Sequence, residues 1–187
     1  MKVDKVLFKE SQGSFLLRNR FCAAALSLLV PGAGHLYQRR LTKSLLFGLS
    51  IVLLWCSGFF IGGRNVVYAS LLPNDFRWQY LSQIWVGIVS APAIIQAYHL
   101  SKFDVVLNGI ICTDREYEPL WGGLMAPPKR PVSEEAPDQI SAWNGRLGQG
   151  YELGIWLTMI AGLLNILVAY DALCGPVAIA PSANPER

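Results

Sequence analysis

An all-α fold, a small transmembrane helical bundle with a mostly irregular polar loop, is predicted by three features of this sequence. The chain is 52% hydrophobic and only 16% charged, against about 25% charged residues in an average soluble domain. The charge is also unevenly spread. Four stretches contain no Asp, Glu, Lys or Arg: Phe21 to Gln38, Ser44 to Gly63, Trp78 to Ser101 and Leu153 to Tyr170. Finally, each is 18 residues or longer, and about 20 apolar residues cross the ~30 Å hydrocarbon layer. A soluble bundle needs a charged face on its helices, and these stretches have none. The expected organisation is a cytoplasmic N-terminal segment (1–20), a membrane region (21–101), a polar loop with a Pro-rich linker (102–151), a C-terminal transmembrane helix (152–175) and a tail (176–187).

Phe21 to Gln38 opens the membrane region. Its apolar run, Phe21 to Val30, is ten residues, about 15 Å as a helix and half the hydrocarbon thickness. Pro31-Gly32-Ala33-Gly34 then interrupts it, so a short or re-entrant segment is expected here and three full spans elsewhere. Asn19-Arg20-Phe21-Cys22 is not a lipoprotein-type cleavage box, and Asp4 and Glu10 precede the apolar run, so this segment is expected to stay in the mature protein.

Ser44 to Gly63 is the clearest span, with eleven Leu, Ile, Val or Phe residues, each favouring insertion by about 0.3–0.6 kcal/mol. Gly58 and Gly62 give it a small-residue spacing suited to close helix contact. Trp78 to Ser101 carries Trp78, Tyr80 and Trp85 near one end and Tyr98 with His99 near the other, as in an interfacial aromatic belt. Pro92 is expected to kink it, and Gly87 with Ala91 offers a second small-residue contact. Leu153 to Tyr170 lies between Glu152 and Asp171 and is followed by Gly175-Pro176, a helix stop. Gly154 and Gly162 line a small stripe with Thr158, and Asn165 places an amide deep in the helix, where it needs a partner.

The basic residues arbitrate topology. With four crossings, Lys and Arg divide eight and eight. With a re-entrant first segment and three crossings they divide thirteen and three, the three being Arg64, Arg77 and Arg187. That predicts a cytoplasmic N-terminus, an external C-terminus and a cytoplasmic 102–152 loop in a multi-pass inner-membrane protein. Within that loop, Val105 to Cys112 reads as a small β-hairpin around Asn108-Gly109, with a helical extension on the membrane surface as the alternative. Ala126 to Asp138, rich in Pro and Glu, reads as a mobile linker.

Several functions are disfavoured. A net charge of +3, with the basic residues flanking apolar segments, does not suggest nucleic-acid binding. The four cysteines, Cys22, Cys56, Cys112 and Cys174, lack paired metal or redox spacing and are expected as small buried residues. Tyr170-Asp171 looks like one half of the motif pair of the aspartyl intramembrane proteases. The nearest carboxylate on the same helix, Glu152, would lie about 28 Å away, too far to share a proton. No Gly-x-Ser-Gly or H-E-x-x-H string occurs. No enzyme and no cofactor is expected.

The most distinctive string is Pro31-Gly32-Ala33-Gly34-His35-Leu36-Tyr37-Gln38-Arg39-Arg40. A helix break at membrane depth is tolerated only where protein or a wet cavity shields the freed backbone groups. His35 and Tyr37 are placed to hydrogen-bond those groups, and Arg39, Arg40 and Lys43 to meet anionic headgroups. Alternatively the bend contacts a lipid headgroup, a peptide or a partner helix. Asp171 opposes the dipole at its helix terminus. On the three-crossing topology it would pair with Arg64 or Arg77; a proton or ligand relay is the alternative.

This turn, with Lys43 opening the next helix, resembles the two-transmembrane-helix domain family over roughly Phe21 to Gly63. It departs at Gln38-Arg39-Arg40, where that family more often has Leu-Gly-Arg. The chain is also similar to an uncharacterised bacterial family of multi-pass membrane proteins, a domain of unknown function, that joins a Pro-Gly-x-Gly-His-x-Tyr turn to a C-terminal helix. The matching helix here runs from Glu152-Leu153-Gly154 through Asn165 to Tyr170-Asp171-Ala172. The resemblance implies a membrane location and one assembled unit of His35, Asn165 and Asp171, without an activity. The expected role is a scaffold or accessory subunit in the lipid bilayer, with a membrane-protein partner or a second copy; the alternative is a lipid- or solute-binding or transport module using the Pro31–Tyr37 bend.

Overall fold

The computed structural model describes residues 19–72, 75–107, 110–113, 117–129 and 139–175. The N-terminal segment to 18, the Asn108-Gly109 turn, most of the linker (130–138) and the tail from 176 lie outside the described residues. The chain is a helical bundle with three helical segments long and apolar enough to cross a membrane: Leu41–Gly62, Trp78–Phe103 and Gln149–Cys174. A shorter apolar helix, Arg20–Leu29, precedes them, as the sequence predicts.

Helix α1 (Arg20–Leu29) starts at Asn19, whose side chain accepts from the Phe21 amide at 3.0 Å. It ends at Val30, in extended conformation before Pro31. Gly32, at φ 81°, turns the chain into the five-residue α2 (Ala33–Tyr37). α1 and α2 thus form a helical hairpin.

α3 (Leu41–Gly62) buries one narrow stripe, Ile51, Trp55, Gly58 and Gly62. Its remaining surface, including Leu45, Leu49 and Phe60, is exposed, as suits a helix facing lipid. The long C-terminal helix, designated α7 below (Gln149–Cys174), is the central one. Its buried residues form a broad band along one side from Tyr151 to Ala172, and it packs against α1, α2, α3 and the Trp78–Ser90 segment. α3 and α7 are antiparallel. Lys43 lies beside Asp171 at one end, and Gly58 and Gly62 meet Gly154 at the other. A Cβ on Gly154 would sit 2.5 Å from the Gly58 carbonyl oxygen, so this approach requires glycine, and the expected packing roles of Gly58, Gly62 and Gly154 are visible. Gly162 lies against the Ser82 backbone.

The Trp78–Phe103 segment has the composition of a span but is not straight. After two short strands, β1 (Leu71–Leu72) and β2 (Asp75–Phe76), helix α4 (Trp78–Gln83) continues as a 3₁₀ stretch to Ser90. Within that stretch Gly87 is non-helical at φ 82°, ψ −132°. The Tyr80 hydroxyl donates to the Ser90 carbonyl at 3.1 Å. Ten residues of straight helix rise about 15 Å, beyond a tyrosine's reach, so the chain folds back at Gly87. α5 (Ala91–Leu100) then returns. Two expectations are corrected here. Gly87 and Ala91 do not share a face: Gly87 is the break, where a Cβ would lie 2.2 Å from the Leu29 carbonyl oxygen, and Ala91 opens the next helix. Pro92 does not kink a helix; it sits in the first turn of α5, where its missing N–H leaves no intrahelical bond unmade.

The polar loop holds the expected hairpin, β3 (Asp104–Leu107) paired antiparallel with β4 (Ile110–Thr113), Val105 opposite Cys112. It also holds a helix that the sequence did not signal, α6 (Gln139–Leu147), whose Trp143 ring packs edge-on to Tyr68 at 6.0 Å. The free cysteines are corrected too. Cys22 and Cys174 are exposed on their helices, where a small apolar side chain can face outward, and Cys56 and Cys112, the latter in β4, are half-buried.

Candidate functional site

The Pro31–Tyr37 bend and Asp171, both singled out in the sequence, meet at the C-terminal end of α7. The α1–α2 hairpin inserts the His35 ring at 0% exposure between α3 and α7. Its Nε2 lies 3.4 Å from Asp171 Oδ2, and its ring stacks obliquely 5.4 Å from Phe47. Lys43, in the first turn of α3, donates to the same carboxylate at 3.0 and 3.4 Å. Asp171, destabilised by its own helix terminus, is therefore answered by a lysine and an imidazole. The expected pairing with Arg64 or Arg77 is overturned: both belong to the opposite end of α3, where Arg77 stacks over the Tyr68 ring at 4.1 Å and donates to the Val66 carbonyl. Asp171 and Lys43 are 38% and 40% exposed, so the cluster opens outward while His35 is sealed behind it.

The broken backbone at Pro31–Gly34 is shielded by protein. Pro31, Gly32 and Gly34 are buried, and the groups freed by the bend are taken by two serines. Ser27 Oγ accepts from the Gly34 amide at 3.1 Å, and Ser44 Oγ donates to the Gly32 carbonyl at 2.9 Å. The sequence reading gave that role to His35 and Tyr37. The missed signal is a serine facing the bend from each flanking helix. Gln38 Nε2 donates to the Ala172 carbonyl at 2.6 Å, fixing the hairpin's exit to the end of α7. Tyr37 is half-buried at the margin.

Asn165 lies two turns further along α7, fully buried. Its amide donates to the Ser27 carbonyl at 2.9 Å and the Trp85 carbonyl at 2.8 Å. One side chain thus holds the tips of both the α1–α2 hairpin and the α4–α5 fold-back. About two turns further, the buried Gln83 donates to Thr158 Oγ1 at 2.8 Å. Gln83 and Gln96 went unremarked in the sequence, although an amide inside an apolar run always needs a partner. Gln96 ties the loop down, donating to the Leu120 and Leu124 carbonyls and accepting from the Leu120 amide at 3.1 Å.

The structure therefore joins His35 to Asp171 directly and brings Asn165 into the same hairpin through Ser27. Gly58, Gly62 and Gly154 lie towards the far end. Among the described residues, no group of three His, Cys, Asp or Glu side chains is placed to hold a metal ion. No curated protein and no solved structure matches the chain. Residues 22–185, which include the hairpin, both long packed helices and the loop, match a family of unknown function, DUF6677, and the chain belongs to that family.

Proposed function

We propose that this protein is a non-enzymatic scaffold or accessory subunit of the bacterial inner membrane, whose partner, a membrane protein or a second copy of the chain, docks beside the Pro31–Tyr37 bend. One observation carries the reading: the Asp171 carboxylate and the amide N–H groups of Asn165 and Gln83 are each bonded to the protein itself. Asp171 is held by Lys43 with His35 Nε2 3.4 Å away, the Asn165 amide donates to two backbone carbonyls and that of Gln83 to Thr158. A relay would keep its carboxylate free to exchange protons, whereas here it locks three helices. The apolar faces of α3 and α7, with Leu45, Leu49, Leu163 and Leu167 outward, suit lipid or a neighbouring helix.

The test is purification of tagged wild type beside His35→Ala in mild detergent, with mass spectrometry of what co-purifies. A protein lost from the variant, with the variant itself still folded, is the expected result. Identical profiles from two stable proteins would remove the bend from any docking role.

A second reading, headgroup binding at the same end, is favoured by the basic rim. Arg39 and Arg40 follow the hairpin and Lys43 is partly exposed, a grouping suited to an anionic lipid. It predicts that vesicles containing an anionic lipid protect the protein from thermal unfolding more than zwitterionic vesicles do, and that Arg39→Gln with Arg40→Gln removes the difference.

A further inference from the structure

We propose that the chain crosses the bilayer twice, through α3 and α7, and that the Pro31–Gly32 and Gly87 bends are the tips of two re-entrant hairpins. These enter from opposite faces and are joined inside the membrane by Asn165. The proposal rests on geometry and stands whether or not the scaffold reading does.

The ends of the molecule are fixed by contacts. At one end Lys43 meets Asp171 and Gln38 meets Ala172. At the other, Gly58 and Gly62 meet Gly154, and Gly63 faces Leu147. With 22 and 26 residues, α3 and α7 are about 33 and 39 Å long, each enough to span. Their antiparallel packing puts the start of α7 on the same face as the end of α3. A third complete crossing between them would deliver α7 to the wrong face.

The intervening segment behaves accordingly. Gln83, on its way in, reaches the Val66 carbonyl. Gln96, on its way back, binds Leu120 and Leu124, and the adjoining Met125 amide donates to the Arg64 carbonyl at 2.9 Å. Both arms therefore return to the end of α3 marked by Arg64 and Val66. Further out, His99 meets the Glu118 carbonyl at 3.2 Å and Trp143 meets Tyr68, so the described loop gathers at that same end.

The hairpin from the other face is equally short, since α1 has ten residues, about 15 Å. The two tips touch where Gly87 packs against the Leu28 and Leu29 carbonyls. Asn165 binds Ser27 on one side of this junction and Trp85 on the other. It lies roughly 16 Å along α7 from Gly154 and roughly 9 Å from Asp171, within the membrane. The irregular backbone at both tips is acceptable there because it is enclosed by protein.

This topology places the described residues between Lys102 and Leu147 on the face opposite Lys43 and Asp171, so a partner there and a partner at the His35 bend would occupy different sides of the membrane. It also removes the charge asymmetry expected of three crossings. Counted along the sequence, the seven Lys and Arg residues from Arg64 to Arg146 stand against nine, the eight from Lys2 to Lys43 with Arg187, a near balance under the positive-inside rule.

Sidedness is read with single cysteines in the full chain after replacing Cys22, Cys56, Cys112 and Cys174 by Ala. Thr42→Cys, Leu71→Cys, Lys102→Cys and Asn144→Cys, all at exposed positions, are treated with a membrane-impermeant maleimide in intact spheroplasts and in inverted vesicles. Lys102→Cys and Asn144→Cys are expected to label from the same side as Leu71→Cys and to lose labelling from the side that modifies Thr42→Cys. Labelling of either together with Thr42→Cys, or equally from both sides, overturns the proposal. Glu118→Cys and Arg146→Cys repeat the measurement should one of these variants not accumulate.

Discussion

Asp171 shows how a residue unfavourable in isolation becomes a lock. A carboxylate at a helix C-terminus opposes the dipole, but here it lies between Lys43 Nζ at 3.0 Å and His35 Nε2 at 3.4 Å. Because both charged partners are partly exposed, the pair contributes at most about 1 kcal/mol. Asp171→Asn should lower the apparent melting temperature in detergent and the amount of protein in the membrane together. A phenotype lost at unchanged protein level would instead point to proton coupling. Asn165 matters more. Asn165→Leu leaves the Ser27 and Trp85 carbonyls buried without its two hydrogen bonds, a loss of roughly 1–3 kcal/mol. Thermal unfolding should show a larger drop for Asn165→Leu than for Asp171→Asn. That Asn165 needed a partner was legible from an amide in an apolar run. Which carbonyls it would meet was not, since they belong to two bends 58 residues apart, Ser27 and Trp85.

At the scale of elements, glycine has two distinct uses, and only one was readable from spacing. The Gly58-Gly62 and Gly154 contact followed from a four-residue repeat, because residues four apart share a helix face. The Gly87 break did not, because an isolated glycine in a membrane helix is common and nothing local marks positive φ. Pro92 drew the attention instead, although a proline in a first turn is a start signal. Gly87→Ala should destabilise strongly, through both its φ of 82° and a Cβ 2.2 Å from the Leu29 carbonyl oxygen; the conformational part alone is about 1–3 kcal/mol. The contrast is Gly145 in α6, where a Cβ meets nothing within 4 Å. Gly145→Ala should leave stability unchanged or raise it by up to about 1 kcal/mol through helix propensity. Unfolding curves of the two variants side by side separate a required glycine from a permitted one. Equal destabilisation would mean that the Gly87 turn does not form as described.

For the whole molecule, the apolar segments and the short first segment were legible because hydrophobicity and length decide insertion. The connectivity between the ends was not. Counting basic residues assigns sides only after each segment has been declared a crossing, so counting Trp78 to Ser101 as one put Asp171 beside Arg64 and Arg77 rather than Lys43. The structure makes α7 the central element: α1, α2, α3, α6 and the α4 segment all pack on it, and the polar bonds from Gln38, Lys43 and Gln83 end on it. Non-covalent contacts alone should therefore hold α7 in place. A protease site inserted between Lys129 and Gln139, cleaved after purification in mild detergent, should give two fragments that remain together on a column binding a tag at the C-terminus. Adding Asn165→Leu and Gly154→Leu to the cleaved protein should release the N-terminal fragment, because the hairpin tie and the closest helix contact are removed at once. Release from cleaved wild type would show that the covalent loop, rather than the packing around α7, keeps the bundle assembled.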